Sequence, residues 1–463
     1  MNDKISITWE DAVKKLSGIP QPSPEAKRFI EELKSPTPYC SGTGNVQGPM
    51  SDGFELINAC PDDWTQLDTA WRSLRRVLAA KGIREVKGAY PVTLRGNPEL
   101  EQEEYQVDIT PEACTLAAAD TDGMRRAVYF LEDRLRETAG PAATFGNWRR
   151  RPFIKHRISR CFFGPTYRPP FFVDELLNDV DYYPEEYLDK LAHEGVNGLW
   201  LSMYFRDLPS SVFPGRGQNA EKRFRKLRQV VERCSDYGIR IYVFFSEPKF
   251  FGDTEDSISA TEAADHPGLA NSRYNGFSFF CTSTEAGKKY LAESIGCLFA
   301  AVPGLGGMIN IMLGEDNGSC VGSLLYEHVV CRCPHCSKRE PGDIFRELAE
   351  IMTRSMLRFS PEAEFIGWFY APAQRDNSPF MHRLEKTAER WPDESGIMFN
   401  FESGASVEQL GKKRTVFDYS LATVEPSVLF REIARTAQKT AAKIQVGCSH
   451  EDASVPFIPV PGN

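Results

Sequence analysis

From residue 151 onward the chain alternates short apolar runs with amphipathic stretches. The runs at 156–163, 198–204, 240–246, 308–313, 364–370, 396–401 and 443–448 are almost continuously apolar, as strands covered on both faces are. Between them, 185–194, 222–237, 284–302, 344–359, 378–391 and 427–442 carry apolar residues at helical spacing. Repeated strand–helix units predict an α/β fold with a parallel sheet. Seven units point to a (β/α)8 barrel of the TIM type that is one strand short, with a doubly wound sheet as the alternative. After Cys448 the chain continues SHEDASVPFIPVPGN. Its prolines argue against an eighth strand there. The expectation is therefore a barrel domain over 151–463, C-terminally incomplete because the polypeptide is part of a longer one. An open barrel would leave its sheet edges unpaired.

Upstream the pattern differs. Residues 46–150 predict a small α+β domain. Trp64, Leu67, Trp71, Leu74 and Val77 share one face of a helix over 64–81. EYQVDIT at 104–110 alternates like a half-buried strand, and a second strand follows at 113–119. A helix over 120–137 opens with Asp120 as its cap. Residues 1–45 predict an N-terminal extension with a helical pattern at 9–16, the prolines Pro20, Pro22 and Pro24, and a helix near 25–33.

Charge narrows the partners. The net charge of −9 comes with no extended basic segment, which argues against nucleic acid. No segment approaches the ~18 apolar residues of a membrane helix, and the N-terminus lacks the apolar core of a secretory signal. The expected setting is cytoplasmic, away from membranes, with the 12 cysteines mostly reduced thiols. Aromatic residues make up 11% of the chain, enough for a large core and for stacking on sugar rings.

The stretch MINIMLGEDNGSC (308–320) concentrates the chemistry. Its apolar run ends at Gly314, and Glu315 and Asp316 follow at once. Adjacent carboxylates at a strand end point to different sides, and each pushes the other's pKa away from its own. One can then stay protonated as a general acid. The plainer alternative is a turn with a helix cap. Other strand ends repeat the theme of rings and polar groups: Arg160; Trp200, Tyr204 and Arg206; Glu247; Trp368 and Tyr370; Asn400 and Glu402; His450, Glu451 and Asp452. Rings suit the apolar faces of a pyranose and carboxylates suit its hydroxyls. For each residue singly, core packing or a solvated loop is the competing assignment.

CVGSLLYEHVVCRCPHC (320–336) holds four of the cysteines. In a reducing compartment Cys320, Cys331, Cys333 and Cys336 point to a structural zinc with four thiolates, with His328 or His335 as substitutes for one ligand. Free buried thiols, an iron–sulfur cluster, or disulfides in an exported protein are the alternatives. The remaining cysteines read as small core residues. No organic cofactor is expected. GLGG at 304–307 precedes its strand and does not make a dinucleotide loop. The basic clusters at 148–153 and 222–228 read as a domain junction and a solvated helix face. No nucleophile-elbow serine is present.

The order of a small α+β domain, then a barrel, then paired acids after the fourth strand resembles the glycoside hydrolase family 20 clan, the β-N-acetylhexosaminidases and their relatives. Residues 104–135 resemble the clan's accessory domain, RISRCFFGP (157–165) its first barrel strand, and LGEDN (313–317) its acid pair. The resemblance spans about residues 50–460. It implies an exo-acting, retaining glycosidase working by substrate assistance, with a carbohydrate substrate. It also implies that Arg160 binds a sugar hydroxyl. The pair here runs Glu-Asp where the family has Asp-Glu. Glu315, with the longer reach, is the candidate general acid and Asp316 the orienter of an acetamido group; the swapped assignment stays open. Two alternatives remain: a glycosidase pairing Glu315 with Glu402 or Glu451, and a non-catalytic glycan-binding protein.

Overall fold

The computed structural model describes residues 28, 31, 32 and 47–447, apart from 62–63, 65, 162–173, 255–256, 275, 315–316, 323–330, 371–386, 394, 417–424 and 439–442. The extension over 1–45 therefore lies almost wholly outside the described residues.

The first sheet contains β1 (Phe54–Ala59), β2 (Tyr90–Gly96), β3 (Tyr105–Ile109), β4 (Cys114–Ala118) and β5 (Gly146–Arg150), ordered β1-β2-β4-β3-β5. β1, β2 and β4 run parallel, while β3 is antiparallel to β4 and β5. Helices α1 (Asp68–Ala80) and α2 (Thr121–Arg136) follow the predicted spacing. Asp120 caps α2 as expected, accepting from Gly123 N–H at 2.7 Å. Alternate strand residues such as Val92, Leu94, Val107 and Leu116 are fully buried.

All seven predicted strands of the second region form, within a few residues of their expected ends. They are β6 (Ile158–Arg160), β7 (Gly198–Ser202), β8 (Arg240–Phe245), then, after a small insertion, β13 (Gly307–Leu313), β14 (Glu364–Phe369), β15 (Ser395–Asn400) and β18 (Lys443–Gly447). Every pairing is parallel and each strand lies beside its predecessor in this series. That order winds in one direction, whereas a doubly wound sheet reverses. The architecture is thus a curled, barrel-type sheet of seven strands among the described residues. Helices α3 (Glu185–His193), α4 (Ala220–Ser235), α6 (Glu285–Ala301), α7 (Pro341–Leu357) and α8 (Val428–Gln438) connect the strands.

The insertion between β8 and α6 comprises β9 (Phe251–Gly252), β10 (Ile258–Ser259), a short helix α5 (Ala260–Ala264), β11 (Ala270–Tyr274) and β12 (Phe277–Phe280). A surface hairpin, β16 (Ser406–Gln409) with β17 (Lys412–Thr415), follows β15.

Strand alternation splits the core in two. Val243, Phe245, Met308, Met312, Phe365 and Phe369 face the helices. Tyr242, Ile309, Ile311, Ile366 and Trp368 face inward, joined by Trp200, Phe244 and Met398. The inward face fills the barrel with side chains, as in other barrels of this size. No described helix is long and apolar enough to cross a membrane.

Candidate functional site

The exit of β13 is pinned on both sides of the acid doublet. Asn310 is fully buried; its amide donates to Glu247 O at 2.9 Å and accepts from Glu247 N–H at 3.0 Å. Asn317 donates to Glu247 O and to Ile311 O, both at 2.7 Å. Asn317 N–H also donates to Gly314 O at 3.1 Å. Gly314 has φ +111°, and a Cβ there would meet the Tyr370 carbonyl at 2.6 Å, so only glycine fits. Downstream, Gly318 N–H donates to Pro248 O at 2.6 Å. A Cβ at Gly318 would overlap the backbone of Lys249 and Phe250. Glu315 and Asp316 lie outside the described residues, as do His450 and Glu451.

Around this exit the inward layer is aromatic. Trp200 and Phe244 are 4.4 Å apart between ring centres, Phe244 and Trp368 6.1 Å, and Trp368 and Tyr370 5.2 Å at 89°. Trp368 Nε1 donates to Asn400 Oδ1 at 2.9 Å. The Arg160 guanidinium sits 5.7 Å from the Trp200 ring. Five predicted residues, Arg160, Trp200, Trp368, Tyr370 and Asn400, thus form one run of contacts that ends against Gly314. Their roles differ within it. Trp368 and Tyr370 are 5% and 7% exposed and make the floor; Trp200 and Phe244 are half-buried.

Tyr204 belongs to a neighbouring set on the loop after β7. Its ring lies 4.3 Å from the Arg206 guanidinium and 5.8 Å from the Lys249 ammonium. Glu247 is buried beneath it and accepts from Phe205 N–H at 3.0 Å. Burial pushes the Glu247 carboxyl pKa up, against the pull of Lys249, the Phe205 amide, Arg216 and Arg206.

The sequence reading overlooked Glu175. It lines a small pocket with Asp174, Ser202, Tyr204, Asp207 and Arg223. Burial pushes its carboxyl up to about 7, while the Tyr183 hydroxyl, donating at 2.7 Å, and the more distant Arg160 act the other way. Arg223 pairs with Asp174 at 2.8 Å and Asp207 at 3.2 Å. It is buried, which corrects the expectation that 222–228 is wholly a solvated helix face. Glu402, half-buried after β15, has its Oε2 buried with no hydrogen-bond partner among the described residues.

The cysteine cluster is also richer than the sequence suggested. Cys320, Cys331, Cys333 and Cys336 are all buried together, and Cys281, read from sequence as a core residue, joins them. Sulfur–sulfur distances are 3.6 Å for Cys281–Cys333, 3.7 Å for Cys281–Cys336 and 3.4 Å for Cys320–Cys336. His335 is exposed, and His328 lies outside the described residues.

No family model and no curated protein matches the chain. Solved structures with related folds include a GH20 β-N-acetylhexosaminidase from Streptomyces coelicolor A3(2), at 13% identity over 85% of this chain and 70% of that one, TM-score 0.47. A β-N-acetylhexosaminidase from Bacteroides fragilis NCTC 9343 shares 13% identity over 78% of this chain and 68% of that one, TM-score 0.44. A GH138 enzyme targeting pectin rhamnogalacturonan II shares 14% identity over 75% of this chain, TM-score 0.46; the chain spans 52% of its length. At these values the likeness assigns neither a family nor an activity.

Proposed function

We propose that the chain is a glycoside hydrolase acting on a terminal sugar, with the reaction at the mouth formed by the strand ends. The observation that supports this reading is the aromatic run from Trp200 to Tyr370 terminating at Gly314, one residue before two acids. Rings at a barrel's C-terminal face next to carboxylates suit a pyranose and its glycosidic oxygen. In the hexosaminidase-like form, Glu315 gives its proton to the leaving oxygen. Asp316 orients the substrate's acetamido group as its oxygen attacks the anomeric carbon. Water then opens the cyclic intermediate, with Glu315 now acting as base. Arg160 and Asn400 are the hydroxyl-binding partners in this scheme.

A second form replaces the acetamido group with a protein carboxylate. The unpartnered Glu402 Oε2 favours it, since a buried carboxylate oxygen without a donor is costly unless a ligand supplies one.

Aryl glycosides with and without an N-acetyl group test both forms. Glu315→Gln and Asp316→Asn are each expected to lower kcat by about a thousandfold or more while thermal unfolding stays unchanged. If both variants remain active on every cleaved glycoside, the acid assignment falls. A thiazoline inhibitor that binds supports substrate assistance. Turnover of substrates lacking the acetamido group, abolished by Glu402→Gln, supports the second form. Binding without turnover in the wild type leaves a glycan-binding protein.

A further inference from the structure

The loop after β12 and the loop after β13 meet at the five-thiol cluster. Phe280 N–H donates to Gly318 O at 2.7 Å, which brings the next residue, Cys281, against Cys333 and Cys336. Two sulfur triads share Cys336: Cys281, Cys333 and Cys336 on one side, Cys320, Cys331 and Cys336 on the other. A zinc ion with bonds of about 2.3 Å to four thiolates holds its sulfurs about 3.8 Å apart. The three Cys281 and Cys320 contacts, at 3.4–3.7 Å, match that tetrahedron edge more closely than thiols dispersed through a core. Ser283 Oγ lies 3.3 Å from Cys336 Sγ and accepts from Arg339 Nη1 at 2.8 Å, the same nitrogen that pairs with Glu347 at 2.7 Å.

We propose that this cluster binds one zinc ion through Cys281, Cys320 and Cys336, with the fourth thiolate supplied by Cys333 or Cys331, the remaining member of each triad. The ion then rivets the insertion after β8 to the loop that follows Glu315 and Asp316. It is a closed, structural site with no open coordination position, and its role does not depend on which glycosidic chemistry the mouth performs. Cys281 is the discriminating ligand, because it is 39 residues upstream of Cys320 in the sequence and comes from a different loop.

The test uses the full chain, purified under reducing conditions, incubated with zinc sulfate and dialysed against metal-free buffer. Wild type is expected to retain about one zinc per chain, and both Cys281→Ser and the double variant Cys331→Ser/Cys333→Ser less than about a fifth of that, by elemental analysis. Full retention by Cys281→Ser, or by the Cys331→Ser/Cys333→Ser double variant, overturns the ligand set. Wild type that retains under about a tenth of an ion, or a disulfide among these cysteines in the mass spectrum, overturns the site. Should Cys281→Ser fail to fold, the labelling of Cys281 in the wild type decides. Iodoacetamide is expected to spare Cys281 in the zinc-loaded chain and to label it after chelation. Equal labelling in both states overturns the proposal.

Discussion

Named glutamates at the two ends of the barrel differ in how well they are matched. At the end where the strands begin, Glu364 and Glu103 are met by cations and donors. Glu364 accepts from Tyr242 at 3.2 Å, pairs with Lys155 at 3.4 Å, and contacts His156. Glu103, reaching over from the first sheet, pairs with Arg157 at 2.5 Å and Arg126 at 3.7 Å, and accepts from Asn197 at 3.2 Å. At the end where the strands finish, Glu402 has an oxygen without a donor among the described residues, and burial raises the pKa of both Glu247 and Glu175. The first arrangement fastens one sheet to the other. The second makes the Glu247 and Glu175 carboxyls harder to ionise and leaves a Glu402 oxygen unmatched among the described residues, as a site for an incoming polar molecule would.

Substitutions at each end test this contrast. The largest effect expected is the thousandfold loss of turnover in Glu315→Gln without loss of stability. Glu103→Ala should do the reverse. It takes the carboxylate from two half-buried guanidiniums that keep only backbone carbonyl acceptors, at a cost of about 2–3 kcal/mol in urea unfolding, while turnover per folded molecule stays the same.

Glu175→Gln probes the pH axis. In the native chain Glu175 holds its proton up to about pH 7, whereas the unfolded chain releases it near the ordinary carboxyl value of 4.5. The native state therefore binds the proton more tightly. Its contribution is complete below the lower value and is lost as pH rises through the upper one, on the order of 3 kcal/mol in total. The wild-type stability profile between pH 5 and 8 should slope downward more steeply than that of the variant. Parallel profiles would mean that Glu175 titrates normally. The smallest effect is expected at Arg75–Glu85, a pair at 2.9 Å with both side chains about half exposed. Arg75→Ala should cost less than about 1 kcal/mol.

The barrel was legible because parallel strands buried on both faces spell continuous apolar runs, and all seven stand where those runs do. The first sheet was only half legible. β1 is exposed toward its end and β5 carries Arg149 and Arg150, so neither shows clean alternation. Inward positions such as Trp200 and Asn400 followed from their places at strand ends. What escaped was non-local. Nothing in the sequence near Cys281 ties it to Cys336, and Glu175 sits in an acid-rich segment whose burial depends on Tyr183 and the loop after β7. Trp368 and Tyr370 stand at the end of β14 as the apolar run implied, but a ring's position along a strand does not disclose how far its neighbours cover it.

The contact at Gly318 bears on redesign. Because a Cβ at Gly318 would overlap the peptide backbone at 249–250, the segments following the third and fourth barrel strands are fitted against each other there. Grafting either from another scaffold without its counterpart would collide or leave a gap. Redesign of either segment therefore means exchanging both together.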